Sequence, residues 1–400
     1  MVLIAAGVFS RVATGDVAAP APVVQSSLGG LSCASPGRCV SVGTTGSRDT
    51  VLTPYAVWFA DATWTPGSPV PPLQNGDSIL SAVSCASSSH CVAVGNQEVP
   101  APYFGAKSAG GRPLIEVWTG QTWRVQQSPV PGGTADAQLN GVDCVSSSAC
   151  VAVGSTGGKG GNDRALTQFW DGKAWTLVVP PRPRVMEEPT LYDVACTSAT
   201  ACTAVGHFTY DLGEFFSTLI APLILRWNGV QWRFENSDSV GDSLDTELDA
   251  IACPSSQLCV VVGSQRHSGG TYSAFAEIRD GGRWRVQPTS DPKGTPYAEL
   301  KDVACPSADR CLAVGSYAVG SDSRALIESW DGAGWKILSA PSPPGATSSV
   351  LRTIACDAPD RCLAAGSYRS VSPTETAYSA LWDGASWTVV PTPASGPPAP

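Results

Sequence analysis

The chain is poor in charge: Asp, Glu, Lys and Arg make up 15% of it, with 25 basic against 34 acidic side chains, a net charge of -9 and a pI near 4.9. So few basic groups leave no footprint for a phosphate backbone, which argues against nucleic acid as a partner. Long apolar runs are also missing. The best, Leu219 to Leu225, falls far short of the roughly 20 residues a membrane-spanning helix needs, so no transmembrane segment is expected. Only three histidines occur, His90, His207 and His267, and two of them cannot make a strong metal site alone. No Gly-x-Ser-x-Gly, His-Glu-x-x-His or phosphate-cradling glycine loop appears, and no helix follows the glycine-rich run Gly157 to Gly161. Familiar catalytic constellations are therefore thin.

What the chain does contain is repetition. Its 14 cysteines form seven Cys-x5-Cys pairs: Cys33 with Cys39, Cys85 with Cys91, Cys144 with Cys150, Cys196 with Cys202, Cys253 with Cys259, Cys305 with Cys311, and Cys356 with Cys362. Each pair is followed by a small apolar run ending in glycine, and then by two tryptophans around a turn, as in Trp330-Asp331-Gly332-Ala333-Gly334-Trp335. A unit repeated seven times argues for one closed body, despite a length that would otherwise suggest two or three domains. In the sixth unit four apolar stretches lie between turn signals: Leu300 to Cys305, Cys311 to Ser316, Ala325 to Trp330 and Trp335 to Leu338. These read as strands a, b, c and d. Asp-Gly or Asn-Gly at the last turn, as in Asp171-Gly172 and Asn228-Gly229, supplies the positive φ that tight hairpins need. Seven four-stranded antiparallel units predict an all-β, seven-bladed β-propeller over residues 28-390. Residues 1-27 read as a leader or remnant signal segment and 391-400 as a Pro-rich tail.

The units resemble kelch-type and Asp-box-type propeller blades in their Asp-Gly turn and tryptophans. They resemble more closely the cysteine-paired repeats of secreted bacterial proteins of unassigned function. The resemblance covers nearly the whole chain and implies a fold, since such propellers include sialidases, oxidases, lectins and plain scaffolds. The kelch Gly-Gly pair and the Asp-box spacing are both missing, so no catalytic residue carries over.

An even cysteine count in local pairs reads as a disulfide framework and hence an oxidising compartment, which predicts a secreted or cell-surface protein. Opposed positions of an a-to-b hairpin suit disulfide geometry, with Cα atoms expected about 4.5 to 5.5 Å apart, and each bridge should stabilise by about 2 kcal/mol. The tryptophan pairs read as packing between blades. Arg279 stands where the first tryptophan of its pair is expected, its guanidinium covering Trp284.

Comparison among the units locates a candidate site. Spacing from the second cysteine to glycine, and from the second tryptophan to the next cysteine, never changes. The b-to-c span does, with steps of 15, 23, 16, 21, 16, 15 and 16 residues from the glycine to the first tryptophan position. The b-to-c loops and d-to-a linkers emerge on one face and the cysteine and tryptophan turns on the other, so recognition is expected on the former. The long insertions offer Tyr103, Phe104 and Arg112 in unit 2, and His207, Phe208, Tyr210, Asp211 and Glu214 in unit 4, with His267 nearby in unit 5. Eight positions before the first cysteine, four consecutive units carry Asp77, Asp136, Glu188 and Asp245. These form an acidic crescent that would bias a site towards cationic groups or Ca2+; turn capping is the alternative for each. No cofactor is otherwise expected.

The expected function is an exported, monomeric, non-catalytic binding or scaffold propeller that recognises an extracellular glycan or protein on this loop face. A propeller enzyme is the first alternative: a glycosidase or lyase with crescent carboxylates as acid and base, or a metal-assisted hydrolase using His207 and His267. A cell-surface spacer is the second.

Overall fold

The structure, a computed structural model, describes residues 25-46, 51-67, 76-98, 110-132, 134-158, 163-182, 186-210, 219-238, 243-371 and 374-392. These form seven four-stranded antiparallel sheets, each built from contiguous chain in the order a-b-c-d, with no helix among them. Blade 6 is typical, with a at Ala298–Ser307, b at Arg310–Val319, c at Asp322–Trp330 and d at Trp335–Leu338. Its strands a and b run beyond the apolar stretches visible in sequence. The leader up to residue 24 and the tail from 393 lie outside the described residues, and strand a of blade 1 begins at Gln25.

All seven cysteine pairs are disulfides joining a to b, with Cα–Cα distances of 3.9–4.1 Å, closer than the spacing expected for opposed strand positions. Such bonds persist in oxidising surroundings. The disulfides reach into the core. The second cysteine of every pair, Cys39, Cys91, Cys150, Cys202, Cys259, Cys311 and Cys362, is buried at 0 to 3% exposure, and Cys144 at 8%. The reason is position, since strand b lies inside its sheet with a neighbouring blade packed over it. Cys91 belongs to the apolar cluster around Leu80 and Trp123, Cys150 to that of Leu139, Cys202 to that of Leu191, Cys259 to that of Leu248 and Cys362 to that of Leu351. Sealed in the core, these sulfurs staple the frame and are out of reach of a ligand.

No described helix is long and apolar enough to cross a membrane.

The core is divided into seven apolar clusters, each between two neighbouring blades. Every cluster contains the second tryptophan of one pair, 3 to 8% exposed, so these rings are interblade packing. Arg279 serves the same seam differently. Its guanidinium binds Glu235 of blade 4 (Nε–Oε2 3.0 Å), which also accepts the Trp284 indole N–H at 2.9 Å. In blade 1 Phe59, one residue beyond Trp58, pairs with Trp64, so Phe59 takes the first aromatic place. Trp58 instead packs, tilted, against Trp118 of blade 2 with ring centroids 4.9 Å apart. The turn of blade 1 thus has the ordinary length, and without glycine it forces Asp61 and Ala62 to φ of 51° and 58°.

Among the described residues no strand is exchanged to close the ring. Blade 7 packs on blade 1 through a cluster holding Leu28, Tyr55, Phe59 and Leu363. The seam is tied by Trp64 Nε1 donating to Ser379 Oγ (2.7 Å) and by the Gly37 amide donating to Asp357 Oδ2 (2.5 Å).

One repeated irregularity positions the site. In every blade strand a carries a β-bulge, leaving one residue unpaired between the leucine five positions before the first cysteine and the residue three before it. The glycine four residues after the second cysteine is its cause. At Gly263 a Cβ would lie 1.9 Å from the Glu247 carbonyl oxygen, and the other six glycines meet strand a at 1.9–2.1 Å. No side chain fits there, so the invariant glycine permits the close approach that sets the bulge.

Candidate functional site

A bulge re-aims its residue, and here it directs seven positions at the central channel, six of them bearing side chains. The bulge residues Gly29, Ser81, Asn140, Tyr192, Asp249, Lys301 and Arg352 all line a cavity of about 420 Å³ on the propeller axis. The sevenfold frame thereby carries an asymmetric ring. Blades 1 to 3 contribute small or neutral groups, and blades 4 to 7 contribute a phenol, a carboxylate, an ammonium and a guanidinium.

Around the larger residues a polar and aromatic cluster occupies blades 4 to 6, towards the end of the channel where the b-to-c loops and d-to-a linkers emerge. His207, on strand b of blade 4 (Ala201–Tyr210), packs its ring 5.3 Å from that of Tyr192 and places Nδ1 3.4 Å from Glu247 Oε1. The Tyr192 hydroxyl lies beside the same carboxyl. Together these contacts, His207 first, hold the Glu247 carboxyl below its ordinary range. Burial, followed by the charge of Glu247, pushes the Tyr192 phenol up, so it remains a donor. In blades 5 and 6, Lys301 Nζ bridges Asp249 Oδ1 at 3.2 Å and Glu299 Oε2 at 2.9 Å. Tyr297 donates its hydroxyl to the same Glu299 oxygen at 2.6 Å, and Ser316 donates to the other at 3.0 Å. Burial opposes the charge of Lys301, but Asp249 and Glu299 outweigh it and raise its pKa. Asp249 is pushed up to about 7, chiefly by burial, and its Oδ2 is buried without a hydrogen-bond partner.

Deeper in the channel the acids are structural. Asp193 accepts the amides of Val194 (2.8 Å) and, across the blade boundary, Ile251 (2.9 Å). Asp302 does the same for Val303 and Ile354, both at 2.7 Å, and Asp143 accepts from Cys196 at 2.7 Å. Burial pushes Asp193 up to about 8 and Asp302 up to about 6. These groups satisfy edge amides of the next inner strand.

The crescent residues are likewise engaged at blade boundaries. Asp77, Asp136 and Asp245 each accept the backbone N–H of the residue 25 positions earlier, Leu52 (2.7 Å), Gly111 (2.5 Å) and Ile220 (2.8 Å), around the start of the preceding blade's strand c. Ser348 does so for Ser323 at 3.2 Å. Asp245 also pairs with Arg266 at 3.0 Å. Glu188, at φ 45°, borders a separate hollow of about 280 Å³ with Asp136 and Asp163. The three aspartates thus cap strands one by one, and their caps reach across blades rather than within a local turn.

Of the loop candidates, Tyr103, Phe104, Asp211 and Glu214 lie outside the described residues. Arg112 is exposed near the start of strand c in blade 2 (Gly111–Trp118). Phe208 packs against the blade 4 core with its ring 6.1 Å from Tyr210. His207 joins the channel cluster, whereas His267 is held by Ser273 (Nε2–Oγ 2.8 Å). Among the described residues one set of three potential metal ligands converges, Cys33, Cys39 and Asp357, and its two sulfurs are joined as a disulfide.

Sequence reasoning missed Tyr192, Glu247, Asp249, Glu299, Lys301 and Arg352. A signal existed: beside the leucine found in all seven units, the position four before the first cysteine reads Gly, Ser, Asn, Tyr, Asp, Lys, Arg. That residue escapes the uniformity of the frame.

The chain is a seven-bladed β-propeller with one hairpin disulfide in each blade. No family model and no curated protein matches it. Among solved structures it is similar to a polysaccharide lyase, the PL25 ulvan lyase bound to GlcA(1-4)Rha3S, at TM-score 0.57 and 11% identity over 91% of this chain and 95% of that one. It is also similar to a protein of unknown function from Dyadobacter fermentans DSM 18053 (TM-score 0.52, 11% identity, 90% and 95% covered). The SapL1 lectin in complex with alpha methyl fucoside follows at TM-score 0.45 and 11% identity, with 94% and 97% covered. At such identities the likeness is one of fold.

Proposed function

We propose that this protein is an exported, non-catalytic propeller that binds an extracellular glycan at the channel mouth formed by blades 4 to 6. One observation carries the reading: on a frame that repeats seven times, Tyr192, Asp249 and Lys301 line one side of the axial cavity, in contact with a cluster of Glu247, Glu299, His207 and Tyr297. A sugar needs paired acceptors and donors for its hydroxyls and aromatic surface for its ring faces. Glu247, Glu299 and Lys301 supply the first, and Tyr192 and Tyr297 the second. The adjoining cavity, which Tyr192, Asp249 and Lys301 line, falls within the roughly 300–1,000 Å³ span of small-ligand sites.

A lyase or hydrolase is the second reading, favoured by the contact of His207, Glu247 and Tyr192, three groups able to move protons. Against cleavage of acidic polysaccharide, the cations at this mouth are already engaged: Lys301 by Asp249 and Glu299, Arg352 by Glu375 at 3.4 Å.

A glycan array probed with the oxidised protein, followed by incubation with each bound glycan, separates the readings. Retention of a glycan with no new reducing or unsaturated ends is the expected result. New ends that disappear in His207→Ala would replace the binding reading with the enzyme one, and silence across the array would remove both.

A further inference from the structure

We infer that the channel mouth selects a glycan carrying a protonated amine, an amino sugar with a free ammonium group. This deepens the glycan-binding reading and rests on it. Three carboxylates, Glu247, Asp249 and Glu299, meet a single ammonium, Lys301, which is bound to two of them. Glu247 remains with a phenol and an imidazole as neighbours, and its side chain is 31% exposed, open to an incoming group. Behind it Asp249, held by Lys301 through Oδ1, keeps its Oδ2 buried on the cavity wall with no donor. Low-dielectric walls focus such a potential, and an overall charge of -9 reinforces it at long range. An ammonium beside Glu247 would supply the missing positive charge, while the Tyr192 ring packs on the sugar face. An acidic sugar would meet carboxylates with no cation released to receive it. A neutral sugar would leave the excess charge unanswered.

The test uses the full, oxidised protein and three defined tetramers: β-1,4-linked glucosamine, its N-acetylated form and cellotetraose. Calorimetric titration at neutral pH and low salt should give the amine-bearing tetramer about tenfold tighter binding than either neutral one, equivalent to about 1.4 kcal/mol. Added salt should shrink that ratio. Glu247→Gln, an isosteric change at a partly exposed side chain, should bring the amine-bearing tetramer down to the affinity of the neutral ones. Neutral tetramers binding equally or more tightly would overturn the amine inference and leave the glycan reading standing. Failure of all three tetramers to bind would also overturn it, and the array result then decides the broader reading. An amine preference that survives both salt and Glu247→Gln would place the recognition elsewhere and overturn the assignment to this mouth.

Discussion

Blades 1 to 3 and blades 4 to 6 share one backbone and differ in what they present to the axis. Both halves have the same bulge, enforced by the same glycine, yet the bulge residue is Gly29, Ser81 or Asn140 on one side and Tyr192, Asp249 or Lys301 on the other. Selection for folding acts on what repeats, and what departs from the repeat is free to serve binding. The halves should therefore behave alike whenever the frame is perturbed and differ whenever the channel is.

The largest effect tests the likeness. Gly263→Ala in blade 5 and Gly95→Ala in blade 2 each press a Cβ to within 1.9 Å of a strand-a carbonyl oxygen. Each should destabilise by about 3 kcal/mol or more in denaturant titrations, while Gly132→Ala, with open space around it, should be near neutral. A large difference between Gly263→Ala and Gly95→Ala would break the idea of a uniform frame.

The next effect tests the difference. Asp193, Asp249 and Asp302 have folded pKa values raised to about 8, 7 and 6 from 3.8, and the buried Glu116 and Glu328 are raised to about 8 and 7. A raised carboxyl binds more protons folded than unfolded, so stability is greatest at low pH within this window and falls as pH rises through the folded values. Denaturation midpoints should show a loss of about 2 kcal/mol or more between about pH 5 and about pH 8. Asp249→Asn should flatten the upper part of that slope, whereas Ser81→Asn at the same position of blade 2 should leave it unchanged.

Smaller effects return to the frame. Replacing both Cys85 and Cys91, or both Cys253 and Cys259, with serine should cost about 2 kcal/mol in either blade. Asp77→Ala, which removes the cap on Leu52, should cost about 1 kcal/mol. None of these three variants should alter glycan affinity at temperatures where it is folded.

Strands, hairpin disulfides and interblade tryptophans were legible because spacing reports on them directly, and the cysteine pair serves as a ruler along the chain. Spacing does not report depth, so the burial of Cys91, Cys150, Cys202, Cys259 and Cys362 beneath the neighbouring blade came from the structure. The ruler does not tell which aromatic of blade 1 faces its partner: Phe59, not Trp58, faces Trp64. The crescent was visible as a recurring carboxylate, and recurrence was itself the sign of a frame duty, since Asp77, Asp136 and Asp245 cap the neighbouring strand c. His207 was found through its loop. Tyr192, Asp249 and Lys301 were not, because strict strand alternation does not anticipate which residue a bulge turns out of the sheet.

The central claim is that ligand recognition belongs to the half of the channel built by blades 4 to 6. Its most direct test is the affinity of the best array glycan for Tyr192→Ala and Glu247→Ala beside Ser81→Ala and Asn140→Ala, all confirmed folded. A loss of about tenfold or more in the first pair, with the second pair within about twofold of the unmodified protein, is the predicted result. Equal losses in both pairs, or no loss in the first, would contradict it.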